Sequence, residues 1–396
     1  MSKDWEIRKL KDIGITQTGT TPPTKDKSNY GNYINFVKPA HFNINGTIDT
    51  SKDGLSEAGL KKGRLIEKDS VLMVCIGATI GKTALCEIPV SCNQQINSFT
   101  PNKNLCSKFF YYILSSSAFY KKVIDASSQA TLPLLNKSKW ESLEVSFPES
   151  LEEQKKIVKI LDKTFEAIEK AKINIEKNIQ NAKELFDSRL NEIFSQKGDG
   201  WEEKTIKEIT TLLGDGLHGT PKYLDNGEYY FINGNNLNDG QIVFKDRTKR
   251  VSFTEYQKYK KDLTDRTVFV SINGTLGNVA FYNNEKVILG KSACYFNLIE
   301  NVNKYFIKYF IKSPIFIKYA HSNATGATIK NVSLKTMREL KVNLPTENEQ
   351  NLIVKKLDKL SEQTKQLEQK YQQKLNNLEE LKKSILEKAF SGELLK

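Results

Sequence analysis

One helical segment occurs twice in this chain, and that duplication constrains the fold more than any other feature. The first copy starts at Pro148 and reads P-E-S-L-E-E-Q-K-K-I-V-K-I-L-D-K; the second starts at Pro345 and reads P-T-E-N-E-Q-N-L-I-V-K-K-L-D-K. Between Glu153–Lys163 and Glu349–Lys359, 8 of 11 positions are identical at a constant offset of 196, about half of the 396 residues. The chain is therefore read as two related halves, each ending in the same long helix. Ser150-x-x-Glu153 and Thr346-x-x-Glu349 have capping-box spacing, each just after a proline that would break a helix interior.

The repeat extends beyond the helices. Trp5-Glu6-Ile7 answers Trp201-Glu202-Glu203, and a Gly/Thr/Pro loop follows in both halves, T-G-T-T-P-P-T at 18–24 and G-D-G-L-H-G-T-P-K-Y at 214–223. Aromatic and β-branched runs at Tyr33–Lys38 and Tyr229–Asn233 read as strands. Charged stretches at 49–69 and 239–266 follow, each with room for a short helix. V-L-M-V-C-I-G-A-T-I-G-K at 71–82 then aligns with V-F-V-S-I-N-G-T-L-G-N at 268–278, a strand and a Gly-rich turn. N-Q-Q-I-N-S-F at 93–99 pairs with G-K-S-A-C-Y-F at 290–296. Phe109–Leu114 and Tyr305–Ile311 read as aromatic-rich helices, polar loops follow at 127–131 and 325–330, and Leu143–Phe147 and Leu340–Leu344 as closing strands. This irregular order, with no repeating βαβ unit, predicts an α+β fold rather than a doubly wound sheet. The expected domains are residues 1–148 and 197–345, with long helices over 149–196 and 346–396.

An apolar stripe runs along both helices at coiled-coil spacing. It comprises Leu161, Thr164, Ile168, Ala171, Ile175, Ala182 and Leu185 in the first, and Leu357, Leu360, Thr364, Leu367, Tyr371, Leu378, Leu381 and Ile385 in the second. Both stripes lose phase at the same repeat position, Asn178 and Lys374. About 40 residues make a rod of about 60 Å, and a lone rod with so narrow a stripe is marginal in water. The simplest partner is the other copy, in an antiparallel coiled coil about a pseudo-two-fold axis. The tails Leu190-x-x-x-Phe194 and Leu386-x-x-x-Phe390 are expected to dock onto the opposite globular domain.

Charge separates the helices from the domains. The chain carries a net +13, yet residues 151–196 are neutral and 347–396 only +1, whereas 1–150 carry +5 and 197–346 carry +7. Basic domains on neutral helices suggest a polyanion held by the domains. No apolar run is long enough to span a bilayer, and the N-terminus has no apolar signal core, so the chain reads as cytoplasmic. Cys75, Cys86, Cys92, Cys106 and Cys294 form no C-x-x-C pair and read as reduced core thiols.

Catalytic motifs are wanting. G-A-T-I-G-K-T at 77–83 has three residues between its glycines where a phosphate-cradling P-loop needs four, and its repeat partner N-G-T-L-G-N lacks the lysine. His41, His218 and His321 have no counterpart in the other half and no metal-ligand spacing. No Asn-Pro dipeptide and no Gly-rich S-adenosylmethionine loop occurs, so neither metal nor cofactor is expected. The polar loops instead offer residue types suited to DNA. These are Thr20, Thr21, Lys25, Lys38, Thr79, Lys82, Gln94, Gln95, Asn97 and Gln129 in the first half. In the second they are Thr220, Lys222, Tyr223, Asn233, Asn235, Asn236, Thr275, Asn278, Lys291, Thr325 and Lys330.

With those features in order, the chain resembles the specificity subunits of type I restriction–modification enzymes across its whole length. The resemblance rests on the duplicated P-x-x-x-x-E-Q-x-x-I-V-x-x-L-D start (one residue shorter before E-Q in the second copy), the G-T-P loop at 219–221, and the I-G-A-T-I-G and I-N-G-T-L-G turns. It also rests on Q-Q-I-N at 94–97 and the F-S-G-E-L-L end at 390–395. It implies two target recognition domains reading a bipartite duplex DNA sequence, and an antiparallel coiled coil that spaces them and docks two modification (methyltransferase) subunits. Restriction subunits would join that core, and the chain itself would be non-catalytic. The rival readings are a coiled-coil adaptor or scaffold whose basic domains bind RNA or acidic partners, and a self-sufficient nuclease or methyltransferase.

Overall fold

A computed structural model describes residues 5–128 and 132–394. Two compact units emerge: Met1–Ile175 with Gln373–Lys396, and Glu176–Gln372. Each contains the start of its own long helix and the end of the other's, and the divide falls beside Asn178 and Lys374, where the apolar stripe loses phase.

The two units share one topology. In the first, a four-stranded antiparallel sheet has the order Gly14–Thr18, Ile96–Pro101, Ser70–Val74, Thr83–Cys86; in the second the order is Thr210–Asp215, Ala293–Leu298, Thr267–Ser271, Val279–Phe281. A smaller mixed sheet places Tyr30–Val37 between Gly54–Leu55 (antiparallel) and Ser91–Cys92 (parallel), and likewise Tyr229–Ile232 between Arg250–Val251 and Val287–Leu289. A two-stranded ribbon closes each unit, Trp5–Lys9 with Glu144–Pro148 and Glu202–Thr205 with Lys341–Leu344.

Period-2 geometry explains the continuous apolar run at 71–74. Alternate side chains of a strand face opposite sides of the sheet. Val71 and Met73 join the helix-covered core, while Leu72 and Val74 join the core beneath the smaller sheet. Val268 and Val270 face one way and Phe269 the other in the second unit. Both faces are buried, so no polar alternation is needed.

The long helices span Leu151–Ser195 and Glu347–Phe390. Thr346 and Glu349 form the full reciprocal capping box. At the first helix Ser150 caps the Glu153 N–H, but Glu153 accepts the Trp5 indole N–H at 3.4 Å instead of returning the bond. Within the first unit the ion pairs Lys172–Glu379 (2.7 Å) and Glu169–Lys382 (3.8 Å) show the two helices running antiparallel, since one number rises as the other falls.

The helix tails insert into domain cores as their sequence suggests. Phe390 packs edge-on to Phe109 with ring centres 5.6 Å apart, and Leu386 and Ala389 are buried beside it. In the second unit Phe194 packs on Phe306 and Phe310, with Leu190 buried alongside. Leu161, Ile168, Ala182 and Leu357 are buried, and Ile175, Leu360, Tyr371, Leu378 and Ile385 are half-buried. Leu185, Leu367 and Leu381 do not lie in the seam: they are 63, 40 and 46% exposed. A helix of 3.6 residues per turn drifts out of a strict seven-residue register, and past Ala182 the inward face passes to Phe186, Leu190 and Phe194.

Candidate nucleic-acid interface

The duplicated E-Q and L-D motifs do structural work at the junction of helix and domain. Gln154 is fully buried: its amide N–H reaches the Pro148 carbonyl (2.8 Å) and its oxygen accepts the Cys106 backbone N–H (2.8 Å). Gln350 repeats the pattern with Pro345 (2.9 Å), Asn301 (3.2 Å) and Asn303 (2.8 Å). Asp162 accepts the Tyr112 hydroxyl (2.5 Å) and pairs with Lys108 (2.8 Å); Asp358 accepts the Tyr309 hydroxyl (2.6 Å). Burial, reinforced by the neighbouring carboxylate, pushes both tyrosine hydroxyls well above the usual phenol range.

One end of each four-stranded sheet gathers the polar loops. In the first unit the strands leave this end at Thr18, Val74, Thr83 and Ile96. The loops are tied to one another through the backbone: Gly19 N–H to Ile96 O, Thr20 N–H to Cys92 O, Cys75 N–H to Gln95 O and Gly77 N–H to Pro133 O. Gly19 is required by close approach, because a Cβ there would lie 2.2 Å from the Asn93 carbonyl oxygen. Gly216 plays the same part in the second unit, 2.3 Å from the Leu289 and Gly290 oxygens. There Leu217 bonds Leu289, Lys291 bonds Leu217, Ile272 bonds Ser292 and Gly274 bonds Lys330, all backbone to backbone.

The candidate DNA-contacting residues divide by exposure. Lys25, Thr79 and Gln94 are exposed in the first unit, and Thr20 and Thr21 half-exposed, Thr21 donating to Gln94. Thr220, Lys222, Tyr223, Asn235, Thr275, Lys291, Thr325 and Lys330 are exposed in the second. Others are committed internally. Asn97 is 2% exposed and accepts from Thr18; Lys82 donates to the Phe42 carbonyl; Lys38 pairs with Asp53 at 2.9 Å. Asn236 is 4% exposed and donates to the Val243 carbonyl. Asn233 accepts from Ser292, Asn278 reaches the Gly234 carbonyl, and Gln95 accepts from Asn93. Asn97 and Asn236 shape the loops, because a buried and bonded polar group has little left to offer a ligand, whereas Lys38, Lys82, Gln95, Asn233 and Asn278 are half-exposed. Gln129 lies outside the described residues.

The segment after Gly81 is the strand Thr83–Cys86, so the P-loop-like G-A-T-I-G-K-T is a turn between strands. Cys75, Cys86, Cys92 and Cys294 are buried, and burial pushes their thiols up to about 12. His41 is buried against Asp53, whereas His218 is exposed and bonded to Asp215. Among the described residues no helix is long and apolar enough to cross a membrane. Lys245, Arg247, Lys249 and Arg250 lie in the charged stretch 239–266, which residue type alone does not subdivide. The first three border a cleft of about 160 Å³ with Tyr223, Phe231, Asn233 and Asn235.

Comparison with known proteins agrees with this arrangement. Residues 2–177 and 198–377 match the family described as "Type I restriction modification DNA specificity domain". The chain is 26% identical over 266 residues to the type I restriction enzyme MjaIX specificity subunit of Methanocaldococcus jannaschii, covering 61% of this chain and spanning 60% of that relative's length. It is 23% identical over 422 residues to the EcoKI specificity subunit of Escherichia coli, covering 100% of this chain and 90% of the relative. A solved structure described as showing complex assembly and conformational transition of a type I R-M system has the same fold. Its TM-score is 0.79 at 17% identity, covering 100% of this chain and 99% of that one. With both halves matched over nearly their whole length, the chain belongs to the type I restriction–modification DNA specificity family.

Proposed function

We propose that this chain is the specificity subunit of a type I restriction–modification complex and reads a bipartite duplex sequence, one half-site per domain. The observation that carries the reading is the shared topology of the two units, each gathering loops at the same end of the same sheet while the loop residues differ. Similar scaffolds with dissimilar loops suit one kind of partner and two different half-sites. The recognition domains are residues 1–148 and 197–345, with helices over 149–196 and 346–396 between and after them. Exposed Gln94, Asn235, Lys222 and Lys291 carry side chains able to pair with base edges, and the threonines and remaining lysines suit phosphates.

The long helices space the domains and dock two modification subunits, to which restriction subunits add. The chain carries out no catalysis itself and works in the cytoplasm. A domain exchange tests this reading: replacing residues 1–147 with those of another member should change one half of the methylated motif and leave the other. Change in both halves, or in neither, would refute it. Deleting one heptad from both helices should alter the preferred spacer; an unaltered spacer would refute the spacing role.

A further inference from the structure

The loop leading into the strand at Arg250 has opposite charge in the two halves. Residues 245–250, K-D-R-T-K-R, carry a net +3, whereas the positions 196 earlier, D-T-S-K-D-G at 49–54, carry −1. The surrounding elements correspond, since Gly54–Leu55 and Arg250–Val251 occupy the same edge of the same small sheet.

Pairing widens the contrast. In the first unit Lys52 pairs with Asp49 at 3.1 Å, and Asp53 takes both Lys38 (2.9 Å) and His41 (3.2 Å). Hydrogen bonds from Ser51, with the Lys52 ammonium beside it, hold the Asp49 carboxyl down to about 2. In the second unit Lys245, Arg247, Lys249 and Arg250 are all exposed and none forms an ion pair among the described residues.

The cationic loop is also held in shape before any ligand arrives. Lys245 N–H donates to the Thr248 hydroxyl (2.8 Å), Thr248 N–H returns a bond to the Lys245 carbonyl (2.8 Å), and Lys245 Nζ reaches the Asn235 carbonyl (2.8 Å). Buried Asn236 secures the loop from beneath through Val243 (2.9 Å) and Thr248 (3.3 Å). Lys249 lies 5.6 Å over the Tyr223 ring and Arg250 4.9 Å over Tyr230, contacts that limit side-chain freedom while leaving the charge exposed.

We infer that the 245–250 loop grips the phosphate backbone of duplex DNA, so that the second domain supplies a part of the electrostatic hold that the first lacks. The inference rests on the reading of this chain as a DNA-binding subunit and adds an inequality between its halves. Exposed, unpaired, pre-ordered cations beside the loops that would face bases are what backbone positioning requires. The first domain, self-neutralised at the same place, depends more on base contacts and tolerates salt better.

The test is the salt dependence of duplex binding by the full chain, followed by fluorescence anisotropy. Each phosphate contact contributes a slope of about −0.9 in log K against log salt. The triple variant Lys245→Ala, Arg247→Ala, Lys249→Ala should therefore flatten the slope by roughly two to three. The charge-keeping variant Lys245→Arg, Arg247→Lys, Lys249→Arg should retain it, and Lys52→Ala in the first domain should leave it unchanged. An unaltered slope in the alanine variant overturns the inference, as does equal flattening by the charge-keeping variant or by Lys52→Ala. Failure of the unaltered chain to bind duplex DNA would sink the functional reading itself.

Discussion

Replacing Gln154 with methionine should destabilise the first unit far more than an ordinary glutamine-to-methionine change on a helix. Gln154 is buried and joins the Cys106 N–H, at the start of the Ser107–Leu114 helix, to the Pro148 carbonyl. Methionine has similar length and adds apolar contact, but it satisfies neither backbone group. A buried donor or acceptor left without its partner costs about 1–3 kcal/mol, so the two together, less the apolar gain, come to about 3 kcal/mol. For a unit of about 200 residues each kcal/mol lowers the melting midpoint by roughly 2–4 °C, which predicts a fall of roughly 6–12 °C in that unit's transition. Calorimetry should show it, and hydrogen exchange should localise it, with faster exchange over 106–114 and little change in the second unit. Gln180→Met is the control, since Gln180 is exposed and its side chain bonds the exposed Glu184; surface changes of this kind stay within about 0.5 kcal/mol. If Gln154→Met were as mild as Gln180→Met, the Gln154 bonds to Cys106 and Pro148 would not hold the helix to the domain.

Three further outcomes follow from other parts of the structure. Burial alone would raise the Asp239 carboxyl, but Lys312, Lys365 and Lys308 around it outweigh burial and hold it far below the carboxylate range. Its stabilisation is thus present above the unfolded value of about 3.9 and lost as pH falls through the folded value. Urea melts should find Asp239→Asn less stable than the parent at neutral pH, with the gap closing below about pH 4; a gap independent of pH would contradict the assignment. Gly216→Ala places a Cβ 2.3 Å from two carbonyl oxygens and should cost about 1–3 kcal/mol, visible as faster exchange at Leu217 and Lys291. Leu185 and Leu381 are repeat equivalents that remain exposed on the helices. Changing both to Asp should leave melting and duplex binding nearly unaltered while abolishing co-purification with modification subunits; retained co-purification would remove them from the docking surface.

Much of this architecture is legible because each half states it independently. The caps at Ser150 and Thr346, the closing strands and the docking tails at Phe194 and Phe390 all carry local signals that a repeat makes twice visible. The helices Ser117–Ala126 and Pro314–Asn323 also carry local signals: Ser116 and Ser313 cap them, and Pro314 occupies the favoured first position of the second. The seam was only half legible, since helical drift carries Leu185 and Leu381 outward although heptad counting keeps them in register.

The interface was less legible than the fold. Residue type alone cannot separate Asn235, exposed at the cleft, from Asn236, buried one residue later and holding the loop. Nor can it distinguish Lys38, paired with Asp53, from Arg247, which has no ion pair among the described residues. The difference is set by how the chain folds back on itself nearby, bringing Val243 and Thr248 to Asn236 and Asp53 to Lys38. What the sequence does contain is the charge contrast between 49–54 and 245–250, seen once the repeat is used to align them.

As a specificity subunit, this chain chooses the DNA sequence on which a modification complex acts. Methylome sequencing of its host with and without the gene tests that most directly. One bipartite methylated motif, two specific half-sites separated by a fixed unspecified spacer, should disappear when the gene is removed. An unchanged methylome, in a host whose modification subunits are expressed and active, would contradict it.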